Sequence, residues 1–274
     1  MLASETQTQP TVDHRAHCAF VLHGLNTNPR RMDSLAHLTE SLGYRTSVGI
    51  LSGHEVNKPS SSDQTSTSSS NSTTAEKWQN EFRSQWSAAV QPCLEKFSER
   101  VLIAYSLGAL TGLSVFDGGA NLPLPTRMIL IAPALLLRKK TVFVRALSWL
   151  PFGSLPSMNH PDYRARPWTP LSDYRALFSL RDSWEADAWK VTGTTSTLVI
   201  LSPEDELVDS QGLADQVAQK SMNRWTILWL SNSFSKLIPH YHHLMIDEKS
   251  FGQQSWDTFT EQASRFLKGD FVSQ

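Results

Sequence analysis

The stretch that decides the fold of this 274-residue chain is Val101-Leu102-Ile103-Ala104-Tyr105-Ser106-Leu107-Gly108. An apolar run of strand length leads directly into a serine, and helix-forming residues follow it. A serine on a sharp turn between a strand and a helix adopts strained backbone angles, and small residues two positions before and after it let the two elements approach. The stretch therefore predicts a strand, a turn and a helix that present Ser106 as a nucleophile. The alternative is a serine that caps an ordinary helix.

Outward from this stretch, apolar runs of strand length alternate with segments whose apolar residues recur at helical spacing. Trp78, Phe82, Trp86 and Val90 mark one amphipathic helix, and residues 256–267 mark a closing one. The runs that predict strands are 17–23, 44–51, 101–103, 128–131, 197–201 and 225–230. Strands that alternate with helices form a parallel sheet covered on both faces. The predicted fold class is therefore α/β, a doubly wound, mostly parallel sheet built from residues 15–137 and 195–274.

Three segments break this alternation. Residues 138–194 separate two predicted strands, are too long for an ordinary connection and are rich in aromatic residues. We expect them to form an inserted cap over the site, with Trp149 and Phe152 in the substrate-binding wall; the alternative is a set of peripheral helices that completes the core. Residues 60–74 are almost entirely polar, which predicts a mobile loop, and residues 1–14 form a polar tail.

Composition excludes several classes of function. The formal net charge is −1, so no global field favours nucleic acid. The longest apolar run, 128–137, is too short to cross a bilayer, and the tail lacks the apolar centre of a signal peptide. Cys18 and Cys93 lie in apolar surroundings, which predicts two buried free thiols. Together these features predict a cytoplasmic protein without stable membrane insertion.

A second motif, His23-Gly24-Leu25-Asn26, follows the first predicted strand. Acyl transfer builds negative charge on a carbonyl oxygen, which backbone N–H groups stabilise. A glycine after the strand lets the backbone turn toward the serine. We expect the N–H groups of Leu25 and Leu107 to form the oxyanion hole.

An acid and a base are expected from two later motifs. Ser202-Pro203-Glu204-Asp205-Glu206-Leu207-Val208 follows the strand at 197–201, and the carboxyl end of a strand is where such folds place their sites. Asp205 fits the acid, because Val208 stands three residues later, and the neighbouring glutamates are expected to be solvated. The base lies among His240, His242 and His243. No acid or cysteine stands at ligand spacing from these histidines, so no metal is expected.

The order Ser106, Asp205, histidine, with His23-Gly24 on an early strand, resembles the α/β-hydrolase fold over residues 17–267. Within it the chain is most similar to the carboxylesterase and monoacylglycerol-lipase-like group, at Gly53-His54, Pro133-Ala134 and Asp205-x-x-Val208. In that group the catalytic histidine stands five residues before an acid that starts the last helix, so Asp247 implies His242, with His243 as the alternative. The chain departs from the pattern of this group at two places. It has Ala104 where the group has glycine, and it has the polar loop at 60–74 where the group is usually shorter.

The resemblance implies a serine hydrolase with the triad Ser106, Asp205 and His242 and no cofactor. The expected substrate is a small carboxylic ester with a short- to medium-chain or monoacylglycerol-like acyl group. The same machinery also serves thioesterases and serine peptidases. A non-catalytic interaction protein on this scaffold is the alternative from another class.

Overall fold

The computed structural model describes residues 16–55, 72–95, 98–231 and 241–270. Within these residues, the main sheet has six strands, all parallel, in the order β2-β1-β3-β4-β7-β8. These strands are β1 (Cys18–Leu22), β2 (Arg45–Gly49), β3 (Arg100–Tyr105), β4 (Arg127–Ile131), β7 (Ser196–Leu201) and β8 (Trp225–Trp229). The predicted strands and the predicted fold class are confirmed.

Helices cover both faces of the sheet. They are α1 (Asp33–Ser41), α2 (Thr74–Val90), α3 (Leu107–Asp117), α4 (Val142–Ser148), α5 (Leu171–Asp187), α6 (Ser210–Gln219), α7 (Glu248–Phe251) and α8 (Gln253–Lys268). Side chains of α2, α3, α5 and α6 share one apolar core, and side chains of α1 and α8 share the other. Because side chains alternate along a strand, β3 sends Leu102 and Ala104 into the first core and Val101, Ile103 and Tyr105 into the second.

The strand order places the site. From β1 the chain moves outward to β2 and then crosses back to β3, so β1 and β3 are neighbours whose connections leave in opposite directions. In open α/β sheets, ligands bind at such a switch point, outside the carboxyl ends of the strands. The loop after β1 and the turn after β3 meet there.

Residues 138–194, the segment predicted as an inserted cap, pack in two separate groups. They contain α4, α5 and a hairpin of β5 (Ser154–Pro156) and β6 (Trp168–Pro170). On α5, Leu180 and Trp184 belong to the main core, whereas Leu171 and Phe178 form a separate cluster with residues of α4 and the hairpin. The segment thus both completes the core and extends beyond it.

Buried Asp117, at the end of α3, anchors the return from this segment to the sheet. Its carboxylate accepts hydrogen bonds from the Trp184 indole N–H and from the backbone N–H groups of Trp189, Val191 and Thr192, at 2.8–3.2 Å. A buried carboxylate needs hydrogen-bond donors. Because backbone N–H groups supply them here, the carboxylate fixes the path of the backbone.

The prediction of free thiols is wrong: Cys18 and Cys93 form a disulfide with an S–S distance of 2.06 Å. Helix α2 packs against β1, and its continuation brings Cys93 to the start of that strand. The two cysteines are 75 residues apart in sequence, so no local pattern indicates that they meet. Disulfides persist mainly in oxidising compartments, so the bond weighs against the predicted cytoplasmic location.

The predicted tail at 1–14, all but the last residues of the polar segment at 60–74, and His240 lie outside the described residues. Where the structure describes the chain, it contains no helix that is long and apolar enough to cross a membrane.

Candidate active site

Ser106 occupies the predicted turn between β3 and α3. Its backbone has φ 51° and ψ −113°, a strained conformation, and its N–H donates to the Ile131 carbonyl at 2.9 Å. Gly108 is needed because a Cβ there would lie 2.6 Å from the carbonyl oxygen of His23. Helix α3 can therefore approach the end of β1 only with glycine at this position. Ala104 is fully buried in the core and fits without a glycine.

A hydrogen-bonded chain joins Ser106, His243 and Asp205. The Ser106 Oγ lies 2.8 Å from His243 Nε2, and His243 Nδ1 lies 2.8 Å from Asp205 Oδ2. The other carboxylate oxygen of Asp205 accepts the N–H groups of Leu207 and Val208, both at 2.8 Å. These bonds explain the Asp-x-x-Val spacing, since the turn that follows Asp205 holds its carboxylate in place.

The structure corrects the choice of histidine. His243, not His242, contacts Ser106 and Asp205, while the His242 Nδ1 lies 3.4 Å from Glu204 Oε2. Both residues belong to one turn, closed by the bond from Leu244 N–H to the Tyr241 carbonyl. Neighbouring residues of a turn point in different directions, so an error of one position exchanges the ring that contacts Ser106 for the ring that faces Glu204.

Two further residues hold the backbone of His243. The Glu206 carboxylate accepts its N–H at 3.0 Å, and the Tyr105 hydroxyl donates to its carbonyl at 3.2 Å. The expectation that Glu206 is solvated is therefore wrong, whereas Glu204 is half exposed. Sequence reasoning missed both contacts, although Tyr105 precedes the serine and Glu206 follows the acid.

Charges around His243 favour its protonated form. Burial lowers the pKa of its imidazole, but the carboxylates of Asp205 and Glu206 raise it by more, so the net shift is upward from 6.5. Burial also raises the pKa of Glu206 above its usual range, although His243 opposes this shift. Burial raises the pKa of Tyr105 well above 10, which keeps its hydroxyl a donor. This environment stabilises a histidine that becomes positively charged during a reaction.

The loop after β1 lies against the turn that carries Ser106. A Cβ on Gly24 would come within 2.8 Å of the Tyr105 ring and 3.1 Å of the Ser106 Cβ, so this close approach needs glycine. Buried His23 fixes the loop from behind: its Nε2 accepts the Leu51 N–H, which leaves Nδ1 to donate to the Gly24 carbonyl at 2.8 Å. Burial and neighbouring His54 lower the pKa of His23 to about 3, so this neutral form persists.

A largely apolar pocket opens above Ser106 and His243. Both predicted oxyanion residues are near it: Leu25 lines the pocket, and Leu107 directly follows the serine. Segment 138–194 contributes Val144 of α4, Leu177 and Phe178 of α5, and polar residues next to the hairpin.

Trp149 and Phe152 do not line this pocket, so the prediction that they bind substrate is wrong. Their exposed fractions are 75% and 83%. They follow the end of α4, whose Val144 faces the pocket while Val142 and Phe143 face outward. Their apolar side chains suggested a contact with substrate. The sequence does not show whether a residue lies on the pocket side or on the solvent side of the segment.

No cluster of His, Cys, Asp or Glu side chains in the described ranges has the geometry to hold a metal ion. The arrangement instead offers a hydroxyl, an imidazole and a carboxylate in series. Such a series can transfer a proton away from the serine oxygen and activate it as a nucleophile.

No family model matches the chain, and no curated protein matches it in sequence. Solved structures do match it over nearly its whole length. A structure reported for the metagenome-derived lipolytic enzymes LipS and LipT has a TM-score of 0.67 and 19% identity, covering 93% of this chain and 96% of the other. Monoglyceride lipase from Saccharomyces cerevisiae, in complex with a substrate analogue, has a TM-score of 0.68 and 10% identity, covering 94% and 89%.

The α/β hydrolase domain-containing protein 10 from mouse has a TM-score of 0.53 and 13% identity, covering 92% of this chain and 90% of that one. Identities this low establish the fold and leave the activity open. The sheet order, the strained serine turn and these matches together lead to one conclusion: the chain has the α/β-hydrolase fold.

Proposed function

We propose that this protein is a serine hydrolase that cleaves carboxylic esters. The observation that carries the proposal is the hydrogen-bonded series of Ser106, His243 and Asp205 at the floor of an apolar pocket. The names of the structural neighbours, lipolytic enzymes and a monoglyceride lipase, support the same class of substrate.

In the proposed reaction the Ser106 Oγ attacks the ester carbonyl while His243 Nε2 takes its proton. Asp205 holds the imidazole and stabilises its positive charge. The N–H groups of Leu25 and Leu107 stabilise the negative oxygen of the tetrahedral intermediate. His243 then gives the proton to the departing alcohol, which leaves an acyl group on Ser106. Water, deprotonated by His243, hydrolyses this acyl-enzyme and restores the serine.

The pocket favours an acyl group of short to medium length, or a monoacylglycerol-like ester. Its wall is mostly aliphatic and aromatic, from residues such as Leu137, Val144, Leu177 and Phe178. An apolar chain gains free energy by leaving water for such a wall, whereas a charged acyl group would lose its hydration without a partner.

Labelling with a fluorophosphonate probe tests the proposal. The wild-type chain should be labelled and should hydrolyse p-nitrophenyl esters, and Ser106→Ala should abolish labelling and lower kcat about 10⁴-fold or more. Ser114→Ala, a buried serine on the same helix that bonds within the helix and to Gln79, is the matched control and should keep both properties.

A wild-type chain that is neither labelled nor active would identify a non-catalytic scaffold and contradict the proposal. If matched thioesters or amides are turned over faster than esters, the proposed substrate class is wrong, whereas the assignment of Ser106 as nucleophile stands.

A further inference from the structure

Asn26 joins the loop after β1 to segment 138–194. Its side chain is almost fully buried, and its Nδ2 lies 2.9 Å from each of three acceptors: Ser157 Oγ, Thr169 Oγ1 and the Arg166 carbonyl. Its Oδ1 accepts the Arg166 N–H at 3.0 Å. All of these partners lie more than 130 residues away in sequence, next to the β5–β6 hairpin.

Backbone contacts strengthen the same junction. The Asn26 carbonyl accepts the Ala165 N–H at 2.9 Å, and the Asn28 N–H donates to the Tyr163 carbonyl at 2.8 Å. Asn159 contributes from the other side, since its Nδ2 donates to the Leu25 carbonyl at 2.8 Å. Asn26 itself has φ 49°, a left-handed conformation that asparagine adopts more readily than most residues.

The opposite side of the loop is held by the core. The Gly24 carbonyl accepts from His23 Nδ1 at 2.8 Å and from the Thr27 N–H at 3.2 Å. The peptide that contains this carbonyl also contains the Leu25 N–H, which points the opposite way because the peptide is planar and trans. The direction of the Leu25 N–H therefore depends on two sets of contacts: the core holds the Gly24 carbonyl, and the hairpin region holds Leu25 and Asn26.

We propose that Asn26 is a positioning residue for acyl transfer, which fixes the Leu25 N–H by clamping the β5–β6 hairpin region onto the loop. The proposal rests on the proposed function, because it assigns the Leu25 N–H to the oxyanion. Asn26 lines the pocket, but its side-chain amide is engaged by Ser157, Arg166 and Thr169, and among the described residues it makes no hydrogen bond to Ser106, His243 or Asp205. We therefore assign its effect to the loop. An oxyanion donor is effective only within a few tenths of an ångström of its ideal place, so a loosened loop slows the chemical step.

The test compares Asn26→Asp with Asn28→Asp. The first change keeps the acceptor for the Arg166 N–H and removes the three Nδ2 contacts. The second makes the same substitution two residues away, where the Asn28 Oδ1 accepts only the exposed Arg30 N–H and an aspartate keeps that bond. Asn159→Ala, at a half-buried position in the segment, removes the bond to the Leu25 carbonyl without placing a charge in the interior.

Four quantities are measured: kcat and KM for p-nitrophenyl butyrate, the inhibition constant of an alkyl boronic acid, and the melting temperature. A boronate on Ser106 is tetrahedral and places an oxygen where the oxyanion forms. Asn26→Asp should lower kcat about 10- to 100-fold, less than the loss of a whole oxyanion donor, with KM within about 3-fold. The boronate inhibition constant should rise in parallel. Asn159→Ala should act in the same direction, and Asn28→Asp should stay near wild type.

Folded Asn26→Asp with unchanged kcat, or with only KM or the melting temperature altered, would overturn the positioning role. If Asn26→Asp does not fold, Asn26→Ala, which removes the same three contacts without placing a charge in the interior, is judged by the same criteria. A wild-type chain without turnover or fluorophosphonate labelling would contradict the proposed function as well, whereas an active wild type with a fully active Asn26→Asp contradicts the clamp alone.

Discussion

At the scale of single residues, the site depends on the direction in which neighbouring side chains point. His242 and His243 are adjacent, yet one ring faces Glu204 and the other lies between Ser106 and Asp205. The same holds for the acids: Asp205 is hydrogen-bonded to the imidazole of His243, whereas Glu206 accepts the backbone N–H of His243. The sequence specifies which acids and histidines are present, but the geometry of the turns determines which of them contact Ser106 and each other.

His243→Ala should lower kcat about 10⁴-fold, because among the described residues His243 is the base hydrogen-bonded to the Ser106 Oγ. His242→Ala should stay within a few-fold of wild type, since its ring faces a partly exposed glutamate. Steady-state kinetics with a p-nitrophenyl ester measures both variants. An inactive His242→Ala with an active His243→Ala would contradict the arrangement.

Glu206→Gln should extend activity to lower pH. The amide oxygen can still accept the His243 N–H. Asp205 continues to raise the pKa of His243, but the smaller contribution of the negative charge on Glu206 is gone. The reaction needs a neutral imidazole, and activity falls as the pH drops through the pKa of His243. A lowered pKa therefore moves the acidic limb of the kcat/KM profile to lower pH.

Glu204→Gln is the matched control for this profile, because Glu204 is half exposed and contacts the ring of His242. A profile that moves equally in both variants would mean that the contact of Glu206 with His243 has no specific effect on the acidic limb.

At the scale of elements, α4 contacts the pocket with one side only. Val144 lines the pocket, whereas Val142, two positions earlier, is 60% exposed. Val144→Phe should fill part of the acyl-binding space and shift the preference toward shorter p-nitrophenyl esters. Val142→Phe makes the same change on the outer side and should leave the preference unchanged.

The exposed aromatic residues after α4 should also leave the preference unchanged. Trp149→Ala and Phe152→Ala remove side chains that contact mainly solvent. A chain-length profile that changes with either of them, and not with Val144→Phe, would contradict the assignment of the pocket wall.

At the scale of the whole molecule, the Cys18–Cys93 disulfide closes a long loop at the end of the sheet opposite the site. Cys18 starts β1, and the site lies beyond the other end of that strand. Replacing both cysteines with alanine should lower the free energy of unfolding by up to about 4 kcal/mol, through greater entropy of the unfolded chain. Turnover at 25 °C should be unaffected, since the bond is about 13 Å or more from Ser106 by strand length.

Thermal unfolding with and without dithiothreitol measures the same difference in the native chain. Titration of two free thiols in the unreduced, denatured protein would contradict the presence of the bond.

The sequence alone determined the sheet strands, the turn that presents Ser106 and the acid Asp205. Each of these follows from a local pattern: apolar runs make strands, an apolar run followed by Ser106 and a small residue at Gly108 marks the turn, and the Val208 N–H bonds the carboxylate of Asp205. Only the tertiary structure decided which histidine contacts Ser106, that the two cysteines form a disulfide, which residues Asn26 contacts, and which side of α4 faces the pocket. These features join residues far apart in sequence or depend on which of two neighbours points inward, and neither leaves a periodic signal in the chain.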